Sequence, residues 1–165
     1  MAKKNQPEVN IKLLIKRNLM DVVEIEKASC FINDPDFGKI QSNTCWSSSS
    51  FTAFVRKKNT FSYIISENNK IVGFVLIENL PTETVIEKIV VHPKNRRNGH
   101  GTAMINHLIN KKFTNKLIYY CMENDDDSIK FFSKKKFKSK LEKKYFSSDT
   151  DAIKFTMEID NEEKV

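Results

Sequence analysis

Apolar residues change their spacing repeatedly along the chain, and each change marks an element. Residues 9–15 (VNIKLLI) alternate loosely and predict a strand. Val22, Ile25 and Ala28 recur at helical spacing and predict a helix over 21–31. Residues 32–45 (INDPDFGKIQSNTC) read as a loop by composition, with Pro35 and Gly38 as punctuation. Ser47 to Ser50 offer N-cap oxygens ahead of Phe51, Phe54 and Val55, so a short second helix is expected. FSYIIS (61–66) and KIVGFVLI (70–77) flank Glu67-Asn68-Asn69, a hairpin signal, and Pro81 ends the pair.

TVIEKIVV (84–91) predicts a strand stopped by Pro93. After RRNGHG (96–101), the segment Thr102–Phe113 sets Met104, Ile105, Leu108 and Ile109 on one helical face. LIYYCM (117–122) predicts a strand, and DDSIKFFSKKK (126–136) a helix with acidic residues at its start. KSKLEKKY (138–145) and DAIKFTMEI (151–159) predict a closing antiparallel pair. The sum is a single α/β domain over 9–160: a mixed, mostly antiparallel central sheet of about seven strands, flanked by about four helices. Residues 1–8 are expected to be flexible and 161–165 to be a tail.

Composition narrows the class. The 165 residues are 39% hydrophobic and 30% charged, as in an ordinary soluble protein. The opening MAKKNQPE lacks the apolar stretch of a signal peptide, and the longest apolar run, 71–77, is strand-length. Cys30, Cys45 and Cys121 show no metal spacing, and their odd number argues against a disulfide framework, so a cytoplasmic location and no metal are expected. A net charge of +7 favours an anionic partner. The lysine-rich stretch 130–144 is either a solvated face or a contact for a phosphorylated ligand or RNA; no nucleic-acid-binding motif accompanies it.

RRNGHG carries the clearest chemistry. It lies between a predicted buried strand and an amphipathic helix, where a helix N-terminus offers unpaired N–H groups and partial positive charge to an anion. Gly99 and Gly101 let the backbone close around phosphate oxygens, and Arg96 and Arg97 add charge-assisted contacts. Neither the dinucleotide-binding nor the P-loop glycine spacing is met.

VVHPKNRRNGHGTAMINHLI resembles the pyrophosphate-binding segment of the GCN5-related N-acetyltransferases. Arg96, Gly99 and Gly101 fill the defining places, and Arg97, Asn98, His100 and Thr102 supply the other amides facing the pyrophosphate of acetyl-CoA. DDDSIKFFSKKKF (125–137) is similar to the family's next signature, which implies cofactor contacts at Asp125 and Phe132. The order of elements is also the family's. The resemblance implies that pantetheine bonds to backbone near Ile89, Val90 and Val91.

CWSSSSF (45–51) and KKYFSSDTDAIKFTMEI resemble two segments of the bacterial ribosomal-protein-alanine N-acetyltransferases. They imply that Trp46, Tyr145, Phe146 and Asp151 help hold the N-terminus of a protein substrate. The implied activity is acetyl transfer from acetyl-CoA to a primary amine, without a metal and without a membrane, and with the ribosome as a possible neighbour. Asp125, Lys136 and Phe132 depart from the family pattern. Phe132 stands where a tyrosine usually protonates the departing thiolate, and it has no exchangeable proton. Glu87 is the expected base, acting through water, although a surface ion pair with Lys88 or Lys138 is the alternative. Tyr120 occupies the place of the branch's usual glutamate; Tyr119, Tyr120, Tyr145 or solvent could supply the missing proton. A small-molecule amine or a lysine remains an alternative acceptor, and a non-catalytic acetyl-CoA-binding or ribosome-associated module an alternative of another class.

Overall fold

Hairpin and crossover signals in the sequence become, among the described residues, a seven-stranded mixed sheet with four α-helices. The structure is a computed structural model and describes residues 7–34, 38–41 and 45–160. Residues 1–6, Pro35 and the tail 161–165 lie outside the described residues. In chain order the elements are β1 (Val9–Leu13), α1 (Leu19–Ser29), β2 (Phe31–Asp34), β3 (Gly38–Gln41), α2 (Ser48–Arg56), β4 (Thr60–Glu67) and β5 (Lys70–Asn79). Then follow β6 (Thr84–Val91), α3 (His100–Lys111), β7 (Lys116–Met122), α4 (Asp126–Ser133), β8 (Lys138–Ser147) and β9 (Thr150–Glu158). The strand order is β1-β4-β5-β6-β7-β9-β8. β1/β4, β7/β9 and β8/β9 are antiparallel, whereas β6 and β7 run parallel.

Local chemistry explains the element ends. Asn68 and Asn69 both take positive φ, 48° and 64°, the two-residue turn whose twist suits a β-hairpin. Ser47 caps α2 by accepting from the Ser50 N–H at 3.2 Å, as the serine run implies. Asp125 caps α4 by accepting from the Ser128 N–H at 3.0 Å, with Asp126 and Asp127 in the first turn against the positive end of the helix.

The described residues form two compact units, those up to 76 with 88–107 and those from 77 to 87 with 108–160. In the first, Val22, Val23 and Ile25 of α1 bury against Phe51 and Phe54 of α2 and Ile64, Phe74 and Leu76 of the sheet. In the second, the fully buried Phe132 ring stacks on Tyr119 at 4.2 Å and Phe155 at 5.4 Å and meets Phe137 edge-on. Removing such a ring typically costs about 3–5 kcal/mol.

Three expectations are corrected. The segment 32–45 is not all loop: β2 and β3 pair as a separate two-stranded ribbon, Ile32 opposite Ile40. Its polar composition hid this, because ladder hydrogen bonds are made by backbone and need no apolar side chains. Cys30 and Cys45 form a disulfide that closes this segment, and Cys121 is a buried free thiol. An odd count allows one bond and one remainder. α3 also begins at His100, two residues before the spacing of apolar residues places it. No helix among the described residues is long and apolar enough to cross a membrane.

Candidate active site

Within the first unit, β6 leads into the glycine-bearing loop. The His92 N–H bonds the Val72 carbonyl at 2.8 Å, and Pro93–Asn95 form a 3-10 turn whose Lys94 N–H donates to His92 Nδ1. Arg96 Nε donates to the Val91 carbonyl at 3.1 Å, tying the loop back to the strand end. Arg97 takes φ 68° and Gly99 φ 81°, with Asn98 between them outside the positive region. Alternation of φ sign turns successive N–H groups toward one side, an arrangement that binds anions. His100 then opens α3, whose first N–H groups have no partner within the helix.

Gly99 answers why the loop carries glycine. A Cβ built there would meet nothing within 4 Å, so no protein atom demands the missing side chain. The positive φ favours glycine, and the space above it is open. Residues 96–99 are exposed, whereas His100 turns its ring inward and is 2% exposed. An open backbone concavity at a helix N-terminus, rimmed by two arginines, fits a diphosphate.

Gly73 is the opposite case. A Cβ there would stand 2.7 Å from the Val90 carbonyl oxygen, so close approach of β5 to the Val90–Val91 stretch needs glycine. Lys88 on β6 donates to Glu26 of α1 at 2.6 Å, and Glu26 also accepts the Trp46 N–H at 2.9 Å. Trp46 packs against Phe51 and Phe54, with the Lys88 ammonium 5.5 Å from its ring centroid. Glu26 is 1% exposed, so this ion pair is buried and its charges depend on one another. Donor atoms of Glu26, Cys30 and Cys45 lie within 4.8 Å of one another, spacing a metal could use. Here the two sulfurs are bonded to each other and the carboxylate to Lys88.

In the second unit, the parallel register of β6 with β7 covers Thr84–Ile86 against Leu117–Tyr119. Glu87 is the first residue of β6 beyond it and is exposed. Tyr120 stacks on Tyr145 with centroids 4.2 Å apart, and Phe146 meets Tyr145 edge-on at 5.0 Å. Tyr145 and Phe146 are each about half exposed, an apolar surface without a cover. Burial, then the charge-sensitive neighbours Tyr120 and Glu87, push the Tyr145 phenol above its ordinary range. A hydrogen bond with Tyr120 raises Lys154 in turn. Asp151 accepts the Lys144 N–H at 2.8 Å where β8 bulges, which fixes the irregular end of the strand carrying Tyr145 and Phe146.

Glu87, Tyr120, Tyr145 and Phe146 therefore come together. Other candidates do not join them. Phe132, expected at the cofactor, has no exposed surface; its ring is a core element. Tyr119 places its hydroxyl 3.1 Å from Ser128 Oγ, and burial pushes its phenol up strongly. Burial also pushes the Cys121 thiol up to about 12. Lys88, one alternative partner for Glu87, is paired with Glu26.

Sequence reasoning missed Glu26 and Glu67. For Glu26 the signal was present: a carboxylate next to Ile25, within the apolar stripe that begins at Val22. For Glu67 no local pattern exists, because its partners lie about thirty residues away, Asn95 at 3.3 Å and His100 at 3.7 Å.

A model of the acetyltransferase (GNAT) family matches residues 21–137. The fold is similar to the ribosomal-protein-S18-alanine N-acetyltransferase from Escherichia coli, with TM-score 0.73 and 20% identity over 96% of this chain and 99% of that one. A GNAT family acetyltransferase from Elizabethkingia anophelis with acetyl-CoA bound gives TM-score 0.67 and 19% identity over 94% and 99%. Arabidopsis thaliana NAA60 in complex with a bisubstrate analogue gives TM-score 0.69 and 12% identity over 93% and 99%. No curated protein matches the sequence.

Proposed function

The chain belongs to the acetyltransferase (GNAT) family, and from that premise we propose that it moves the acetyl group of acetyl-CoA to the N-terminal α-amino group of a protein. The observation that carries the cofactor half is the loop: Arg97 and Gly99 at positive φ, open space over Gly99, and the start of α3 directly behind. Main-chain N–H groups of residues 97–102 would hold the diphosphate, with Arg96 and Arg97 adding charge. Backbone of Ile89, Val90 and Val91 would hold the pantetheine arm. When bound, the coenzyme supplies an activated acetyl thioester.

The remaining chemistry belongs to the chain. An α-amino group has a pKa near ~8 and is partly neutral at cytoplasmic pH, so one proton must be removed. Glu87, exposed on β6, takes it through water. Tyr120 returns a proton to the departing sulfur, taking the part that Phe132 cannot play. The Lys154 ammonium, hydrogen-bonded to Tyr120, stabilises the phenolate that this leaves. Solvent then returns the proton from Glu87 to Tyr120.

Two features support a protein acceptor. The uncovered Tyr145–Phe146 surface stands beside Tyr120 and Glu87, where an acceptor residue of small apolar character would lie. The Escherichia coli protein of similar fold is by name an N-acetyltransferase of a ribosomal-protein alanine. On this reading the protein works in the cytoplasm near newly made ribosomal protein, where the reducing pool would hold Cys30 and Cys45 as thiols. The test is mass spectrometry after incubation with acetyl-CoA and peptides starting with Ala, Ser, Met or an internal lysine. Acetylation at the α-amino group of the Ala and Ser peptides is expected. Transfer only to lysine or to small amines would replace the acceptor; coenzyme binding without any transfer would leave a binding module.

A further inference from the structure

The exposed segment Arg96–Gly99 is short, and something must hold it in the conformation that aims its N–H groups. Its two flanking residues share one partner. Asn95 Nδ2 donates to Glu67 Oε2 at 3.3 Å, and His100 Nε2 lies 3.7 Å from Glu67 Oε1. The His100 ring is buried, and its Nε2, which makes no hydrogen bond, faces Glu67 Oε1 across that 3.7 Å gap. Glu67 is itself well anchored. It ends β4 next to the Asn68–Asn69 turn, and Asn68 exchanges two hydrogen bonds with the backbone of Glu8.

We propose that Glu67 is a positioning residue for diphosphate recognition, clamping Asn95 and His100 at the two ends of the anion-binding loop. The proposal rests on the reading of that loop as the coenzyme's diphosphate site. A carboxylate beside an anion site is a cost by charge alone, since like charges repel. Its presence there is explained if geometry matters more than that repulsion. Fixing both ends of the loop spares the ordering of its backbone at the moment of binding.

The sign of the effect separates the two possibilities. Glu67→Ala removes both the charge and the clamp; Glu67→Gln removes the charge but keeps a hydrogen-bonding amide. Calorimetry with CoA and with S-acetylpantetheine, which has no diphosphate, gives the readout without catalysis. Glu67→Ala is expected to weaken CoA by about tenfold or more, with S-acetylpantetheine unchanged and with Glu67→Gln recovering much of the loss. Asn95→Ala, which leaves the charge in place, is expected to weaken CoA in the same direction, and it carries the test if Glu67→Ala does not fold. If wild type binds CoA and S-acetylpantetheine equally, the loop is not a diphosphate site and the clamp falls with it. If wild type prefers CoA but Glu67→Ala binds it as well or more tightly, the loop reading stands and the clamp is overturned.

Discussion

Replacing Gly99 with asparagine separates ligand recognition from folding. Most residues in the left-handed region cost about 1–2 kcal/mol, but asparagine is one of the few side chains that visit it, so φ 81° strains it less than most. A Cβ at this position meets nothing within 4 Å, so no steric penalty adds to that. The stability loss should be under about 1 kcal/mol, a melting shift of no more than about 2–4 °C in a chain of this size. The new side chain would stand in the space where the diphosphate approaches the loop. Each charge-assisted contact it displaces is worth about 1.5–3 kcal/mol, roughly tenfold to a hundredfold or more in affinity. Gly99→Asn should therefore melt like wild type and bind acetyl-CoA at least about tenfold more weakly, read by calorimetry and thermal denaturation on one preparation. Gly73→Ala provides the contrast, because its Cβ would stand 2.7 Å from the Val90 oxygen and 3.0 Å from Ile65 Cγ2. It should lose about 1–3 kcal/mol of stability. A folded Gly99→Asn protein with undiminished affinity would refute the reasoning.

Other perturbations test the neighbouring claims. Glu26→Gln should lower stability by about 3–5 kcal/mol, since it leaves the Lys88 ammonium without its buried partner; a melting curve like that of wild type would contradict this. Replacing Cys30 and Cys45 with serine opens a loop of sequence separation 15 and should cost up to about 3 kcal/mol in oxidised protein. Wild type under reductant should then melt like the double variant, and identical melting with and without reductant would count against the bond. Tyr120→Phe should reduce kcat by about 10²–10⁴-fold with coenzyme affinity unchanged, and a variant of full kcat would remove Tyr120 from the mechanism. Tyr145 has its phenol pushed above the ordinary ~10, so it stays neutral at lower pH and loses its proton only as pH climbs past that value. Tyr145→Phe should thus leave the pH–rate profile unchanged below about pH 10, and the loss there of a limb that wild type shows would mean that Tyr145 titrates in the reaction.

What the sequence disclosed follows from how local each feature is. Ser47, Asn68–Asn69 and Asp125 act on backbone within three residues, so caps and turn were legible from composition alone. The β-strand and helix faces were legible because burial imposes a period on Val22–Ile25 and on Met104–Leu108. RRNGHG was legible as a tight turn into a helix because glycine at positive φ and a helix start occur in consecutive residues. Glu67 and Glu26 were not, since each is defined by a partner brought in from a different element. The burial of Phe132 was hidden for a related reason: the motif gives its position on α4, whereas Tyr119, Phe137 and Phe155 decide that its ring faces inward. The β2–β3 ribbon escaped because its pairing is a property of backbone.

Hydrogen exchange resolved to single amides, with and without saturating acetyl-CoA, bears most directly on the central claim. Slowed exchange at residues 97–102, accompanied by protection of Ile89–Val91 and little change in α4, is the expected result. Saturation that leaves the 97–102 amides exchanging as they do in the free protein would contradict it.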